Sequence, residues 1–398
     1  MCVLQIGLLG KANVGKSTFF SAATETPVPI GNFPFTTIQP NIGVAYVKSD
    51  CACKHFGIKH QNPLCVNGTR FIPVKLIDVA GLVPGAHEGK GLGNQFLDDA
   101  RQAEVLIHVV DIAGATDIQG QPIPIGTHNP LEDVDFVENE FDQWFTDILR
   151  REWDKLTREI EQKRAKLTDG IAKRFTGLGI KDYQVQDVLH KLELISKNPK
   201  DWNDSDIHTF VKELRKNTKP IIIAANKADL PSAAKNLEKL RKEFPEKLIV
   251  PCSAEAELAL KEAAKAGLIK YRPGDSDFEI VGKLNDKQKA ALEFIRQNVL
   301  EKHGSTGVQQ VLDASVFELL KYIAIFPGGI NKLADQFGRV LPDCFLLPAN
   351  STALDFAFRI HTDLGNKFIR AIDVKTRKTV GKEHLLKNGD VVEIVTGR

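Results

Sequence analysis

Five short apolar runs, at residues 3–9, 71–77, 105–111, 220–225 and 247–250, stand out along the chain, each ending in a glycine-containing or polar segment. Runs of this length predict buried strands of a mostly parallel sheet. Between the third and fourth runs the period changes. From 131 to about 217, Leu149, Trp153, Leu156, Ile160, Lys163, Leu167 and Ile171 step by fours and threes with charges between them, a heptad-like stripe. Val185, Val188, Leu189, Leu192 and Ile195 form a second helical stripe, and Ile207, Phe210, Val211 and Leu214 a third. Two long helices joined near Gly177-Leu178-Gly179 are expected to make an antiparallel arm, either a lid on the sheet or a partner-binding arm. Helical spacing returns at 285–325, with Leu292, Ile295, Val299, Leu300, Val311, Leu312, Val316, Leu319 and Leu320, and ends at Pro327-Gly328-Gly329. Strand-like runs resume at 345–348, 368–373 and 391–395. The expected fold class is α/β, a mostly parallel sheet flanked by helices over 1–130 and 218–275. A helical insert at 131–217 interrupts it, and a helical connector at 276–341 and a small tail domain at 342–398 follow.

The chemistry concentrates at the ends of the predicted strands. Gly10-Lys11-Ala12-Asn13-Val14-Gly15-Lys16-Ser17 follows the first run, and Thr18-Phe19-Phe20 opens a helix behind it. A strand, a glycine-bounded loop with Lys-Ser and a helix make a phosphate-binding P-loop. The expected nucleotide-binding residues here are Gly10, Asn13, Val14, Gly15, Lys16, Ser17 and Thr18. Successive N–H groups cradle the β-phosphate and the helix N-terminus adds its positive end. Lys16 reaches the β/γ-oxygens and Ser17 holds Mg2+ through its hydroxyl. Asp78-Val79-Ala80-Gly81 follows the second run, so Asp78 is placed to hold the Mg2+ shell and the Gly81 N–H to sense a γ-phosphate. Thr37 is the candidate for the second hydroxyl on Mg2+. Lys16, Thr37 and Gly81 are the expected catalytic groups. Asn226-Lys227-Ala228-Asp229 follows the fourth run, where Asp229 can accept N1–H and the 2-amino group of guanine. Ser253-Ala254 follows the fifth, where the Ala254 N–H can meet guanine O6. Adenine would lose both contacts, so the expected nucleotide is GTP.

With these motifs in place, Phe35-Thr36-Thr37 with Pro40-Asn41, Asp78 to Ala86 as Asp-Val-Ala-Gly-Leu-Val-Pro-Gly-Ala, and Gly89-Lys90-Gly91-Leu92-Gly93-Asn94-Gln95-Phe96-Leu97 resemble the Obg-like GTPases. The likeness is to their YchF-related branch, in its archaeal and fungal subgroup, and covers essentially the whole chain. The best-known proteins of that branch carry a degraded base motif and favour ATP; the intact Asn226-Lys227-Ala228-Asp229 departs from this, so ATP preference is not carried over. Leu82 stands where other GTPases place a water-orienting Gln. The resemblance implies that Asn13 binds K+ beside the β/γ-bridge, supplying positive charge there; the alternative is that Asn13 caps the loop through its amide. The tail segments 352–357, 360–365 and 386–392 resemble the TGS module, a ubiquitin-like β-grasp domain, which implies contact with RNA or the ribosome. Lys367, Arg370, Lys375, Arg377, Lys378, Lys382 and Lys387 form a basic set there, fitted either to phosphates or to solvent.

Composition adds bounds. The chain has 398 residues, 42% of them hydrophobic and 26% charged, with a formal net charge of +2, so any RNA contact depends on a local patch. No membrane-length apolar run and no leader pattern are present, and a cytoplasmic monomer is expected. Of six cysteines, Cys51, Cys53 and Cys65 cluster with His60, a set open to Zn2+, to reduced thiols or to a disulfide. Cys252 and Cys344 read as buried small residues. His87 is a weak candidate for orienting water; His108 and His128 are weaker. The leading expectation is a GTP-hydrolysing switch linked to the ribosome or RNA through the tail and helical domains. The alternatives are an RNA- or ribosome-binding module with a structural nucleotide, and an ATPase.

Overall fold

The apolar runs become strands in the computed structural model of the chain, which describes residues 3–24, 42–60, 62–79, 100–162, 164–335 and 337–397. They are β1 (Gln5–Leu9), β2 (Ile42–Asp50), β3 (Cys65–Val66), β4 (Thr69–Asp78), β5 (Val105–Asp111), β6 (Ile221–Asn226) and β7 (Ile249–Pro251). The sheet runs β2-β4-β1-β5-β6-β7, with β3 paired to β4. The strands from β4 to β7 along this order are parallel, whereas β2 is antiparallel to β4, with Ile42 opposite Ile77 and Asp50 opposite Thr69. Every position of β5 is buried, as a strand covered on both faces requires. Phe19 of the helix Lys16–Thr24 and Val311 and Leu312 of the helix Val308–Ala314 share a core on one face with Ile6, Leu8 and Val109. Phe141 and Phe145 of the helix Pro130–Arg150 join Leu9 and Leu106 in the core on the other.

The insert is not the long antiparallel arm that the heptad-like stripe suggests. Helices Pro130–Arg150, Trp153–Glu161, Leu167–Arg174, Asp182–Lys191 and Asp204–Thr218 fold into a bundle continuous with the sheet's core. The first break is at Glu152, which takes φ 56. The stripe still turns inward: Leu149, Leu156 and Ile171 are buried, and Trp153, Ile160 and Leu167 pack on them. The two short helices approach at Gly170, where an added Cβ would lie 2.3 Å from Leu156. Arg215 is buried and donates to Asp142 at 2.5 Å and to Glu138.

A two-stranded ribbon, β8 (Ile269–Lys270) and β9 (Glu279–Ile280), precedes a second sheet. That sheet contains β10 (Tyr322–Pro327), β11 (Phe345–Pro348), β12 (Phe368–Asp373), β13 (Lys378–Val380) and β14 (Val391–Thr396), in the order β11-β10-β14-β12-β13. Only β10 and β14 pair in parallel. This is the β-grasp arrangement, with the helix Ala353–Ile360 burying Ala353 and Phe356 among the sheet's side chains. The expected boundary at 342 therefore divides the sheet. β10 lies in the stretch expected to be a helical connector, because a short apolar run after a helical stripe continues either period. No helix among the described residues is long and apolar enough to cross a membrane.

Candidate functional site

The P-loop and the base motif meet at the carboxyl ends of β1, β4, β6 and β7, the edge where open α/β sheets bind ligands. Gly10 takes φ 150 and a Cβ there would lie 2.6 Å from the Val109 carbonyl oxygen; Gly15 takes φ 90 and a Cβ there would lie 2.3 Å from Asn226 Nδ2. Both positions therefore require glycine. The helix begins at once, with the Phe19 N–H donating to the Gly15 carbonyl at 2.8 Å. Lys16 Nζ forms an ion pair with Asp78 Oδ1 at the mouth of the loop. The Ser17 side chain at the helix start is exposed. A lysine, a carboxylate and a hydroxyl converging on a helix N-terminus are the donor set for a polyphosphate and a hard divalent cation. Thr37 and Gly81, with Leu82 and His87, lie outside the described residues.

Asn226 fastens the two loops. Its Nδ2 donates to the Val14 carbonyl at 2.9 Å, and its Oδ1 accepts the Ala254 N–H at 3.0 Å. Lys227, held at φ 61, donates to the Asn13 carbonyl at 3.0 Å and to Asp111 Oδ2 at 2.8 Å. Asp229 is half-buried, and its carboxylate takes no hydrogen bond among the described residues. Ser253 Oγ caps the helix Ala254–Lys265 by accepting from the Ala256 N–H at 3.4 Å. The expected role of Ala254 meets a difference here: its N–H is engaged by Asn226 Oδ1 instead of standing open for guanine O6. The Ser253 N–H is likewise committed, to the Thr306 carbonyl at 2.9 Å.

Asn13 takes φ 60 and donates through Nδ2 to the Gly120 carbonyl at 2.8 Å. This is a loop-anchoring contact, and it leaves the Asn13 Oδ1 without a hydrogen bond among the described residues. The partner segment, 113–128, covers the P-loop and carries contacts that no local pattern announces. Lys11 is buried and donates to Asp133 Oδ1 at 2.8 Å and to the Thr116 carbonyl at 3.0 Å. His128 Nε2 lies 2.8 Å from the same carboxylate oxygen. Burial raises the Asp133 pKa against the opposing pull of Lys11 and His128. His108 sits inside β5, and burial drives its pKa down to about 3, which makes it a neutral core residue at neutral pH.

Cys51, Cys53, His60 and Cys65 come together at the opposite end of β4 from Asp78, with their ligand atoms within 4.8 Å of one another. Cys252 is buried and Cys344 is partly buried, and both thiols are free.

Three family models match the chain. An "Obg-like GTPase YGR210-like, G4 motif-containing domain" covers residues 224–328, a "50S ribosome-binding GTPase" covers 5–140, and a TGS domain covers 334–396. A GTP-binding protein of Methanocaldococcus jannaschii, MJ1332, is 48% identical over 396 residues, 98% of each chain. The crystal structure of a GTP-binding protein from Pyrococcus horikoshii OT3 superposes with a TM-score of 0.79 at 39% identity, covering 99% of this chain and 100% of that one. The ribosome-binding ATPase YchF of Mycoplasma genitalium is 34% identical over 227 residues, 56% of each chain.

Proposed function

The chain belongs to the YchF-related branch of the Obg-like GTPases, a family of nucleotide-binding P-loop proteins, and on that premise we propose that it binds GTP with Mg2+ and hydrolyses it to GDP and phosphate. The observation that carries the base assignment is the half-buried Asp229 carboxylate, free of hydrogen bonds among the described residues and held beside the P-loop by its motif neighbours Asn226 and Lys227. Such a group matches the two donors of guanine and repels the acceptor N1 of adenine.

The reaction is in-line attack of water on the γ-phosphorus. Lys16 leaves its ion pair with Asp78 to face the β- and γ-phosphates as a positive charge, and the N–H groups of residues 13–18 hold the β-phosphate. Ser17 and Asp78, with Thr37, are the groups for Mg2+, which when bound neutralises charge on the β- and γ-oxygens. Asn13 Oδ1, with its amide nitrogen anchored on Gly120, would hold a K+, which would supply positive charge near the phosphates. In this reading the chain is a nucleotide-dependent switch, with Thr37 and Gly81 as the groups that sense the γ-phosphate.

The partner in this reading is RNA or the ribosome in the cytoplasm. It is supported by the TGS match, by the name of the Mycoplasma relative, and by exposed Lys367, Arg370, Arg377, Lys378, Lys382 and Lys387 on the tail. A second reading, ATP as substrate, is favoured by one observation: the Ala254 N–H is occupied by Asn226, which weakens the contact to O6. Phosphate release from GTP and from ATP by the full chain, with Lys16→Ala as the blank, tests the proposal; release from neither nucleotide, with or without ribosomes, would leave a binding module.

A further inference from the structure

The nucleotide site makes no use of Cys51, Cys53, His60 and Cys65, yet the fold gathers them. Cys51 follows the end of β2. The short helix Cys53–Phe56 is stopped by Gly57 at φ 62, so the chain turns back. The two-residue turn Asn67-Gly68, with φ 50 and 77, closes the hairpin of β3 on β4 and sets Cys65 opposite Arg70. Positive φ at both central residues is the hairpin turn that fits strand twist. As a result Cys51 Sγ lies 3.5 Å from His60 Nε2, and Cys53 Sγ lies 3.8 Å from Cys65 Sγ. A tetrahedral zinc ion with Zn–S of about 2.3 Å and Zn–N of about 2.0–2.1 Å has S···N edges of about 3.5 Å and S···S edges of about 3.8 Å.

Charge gives a second, independent indication. Arg70 is among the largest fully buried side chains, and among the described residues it pairs with no carboxylate. Its donors go to the Leu341 carbonyl at 2.5 Å, the Pro342 carbonyl at 3.2 Å and Cys51 Sγ at 3.8 Å, and its Nε has no partner. A guanidinium is always charged and costly to bury; Asp343 lies near enough to feel that charge but forms no ion pair with it among the described residues. Three thiolates and a neutral imidazole around Zn2+ carry one net negative charge, in contact with Arg70 through Cys51.

We propose that Cys51, Cys53, His60 and Cys65 hold a structural Zn2+ that fastens the connection between β2 and β4 to the C-terminal sheet. Four protein ligands close the site and leave no position for substrate. The fastening is visible around it. Cys51, Ala52 and Cys53 share a core with Phe326, Leu341, Val374 and Val391. Asn62 Nδ2 donates to the Leu341 and Pro342 carbonyls at 3.1 and 3.0 Å, and Arg70 stacks 5.6 Å from the Phe326 ring centroid. Leu341 is held at φ 43 where these contacts meet.

The test is the metal content of the full-length chain purified without chelator. One zinc per chain is expected. Cys53→Ser and Cys65→Ser should each lower zinc retention about tenfold or more, whereas exposed His55→Ala should retain it. Cobalt exchanged into the wild-type chain serves if those variants fail to fold; thiolate-to-cobalt charge-transfer and tetrahedral d–d bands are expected. Wild-type protein with neither zinc nor cobalt bands, a Cys53–Cys65 disulfide in the isolated chain, or zinc that survives both serine substitutions would each overturn the proposal.

Discussion

Asn226 donates through its side-chain amide to the Val14 carbonyl at 2.9 Å, joining the base motif to the phosphate loop across 212 residues of sequence. The same side chain accepts the Ala254 N–H, so one buried amide links three loops. Asn226→Ala leaves a buried carbonyl and a buried N–H unpaired, which costs about 1–3 kcal/mol for each group. A lower melting temperature and weaker binding of GDP are expected together. Unchanged values of both would mean that the loops hold their geometry without the amide.

Lys16 and Ser17 separate two losses. In the proposed site, Lys16→Ala removes the positive charge that faces the phosphates, and Ser17→Ala removes the hydroxyl that would hold Mg2+. Both are expected to abolish GTP hydrolysis in single-turnover assays. The Ser17 variant should lose the Mg2+ dependence of nucleotide binding as well. Wild-type turnover by either variant at saturating GTP would move the phosphate site elsewhere.

K+ dependence tests Asn13. Its Nδ2 is anchored on Gly120, so the side-chain oxygen is the group left for a cation. Loss of one electrostatic stabiliser in a water-excluded site costs roughly 10²–10³ in rate. Hydrolysis by the wild-type chain should fall on replacing K+ by Na+ at equal ionic strength, and Asn13→Ala should remove the difference. Equal wild-type rates in the two salts would leave Asn13 with its anchoring contact alone.

Asp313 gives a pH signature. Its Oδ1 accepts the Lys48 N–H at 2.7 Å and Gln309 Nε2 at 2.9 Å, and burial pushes its pKa up to about 7. A folded-state pKa above the unfolded value favours the protonated folded state. The stability this contributes is full below the unfolded pKa, near 4, and is lost as pH rises through about 7. Asp313→Asn keeps the accepting oxygen and mimics the neutral form, so its melting temperature relative to wild type should rise between pH 5 and pH 8. A difference that is flat or falls over that range would show the carboxylate to be charged at no cost.

How much of this was legible in the sequence follows from the distance over which each feature is specified. The P-loop and Asn226–Asp229 are local strings at strand ends, and their placement needs only the neighbouring apolar run. β10 was hidden because Tyr322 to Phe326 continues the helical stripe of Val316, Leu319 and Leu320, and only its pairing with β11 and β14 makes it a strand. The insert's helical stripes point inward as expected, but its bundle form depends on Glu152 at φ 56 and on the close approach at Gly170, which a heptad count does not register. The Lys11–Asp133 pair joins residues 122 positions apart, and nothing near either residue announces the other. For the same reason Ala254 looked open to the base: the group that occupies its N–H comes from another strand.

Guanine recognition by Asp229 is the part of the proposed function with the sharpest readout. The most direct measurement is a calorimetric titration of the full chain with GTP and ATP, and their diphosphates, for wild type and Asp229→Asn. The wild-type chain is expected to prefer guanine nucleotides by at least about tenfold, or about 1.4 kcal/mol, and the substitution to erase that preference. Equal affinity of the wild-type chain for GTP and ATP, or guanine selectivity that persists in Asp229→Asn, would contradict the account.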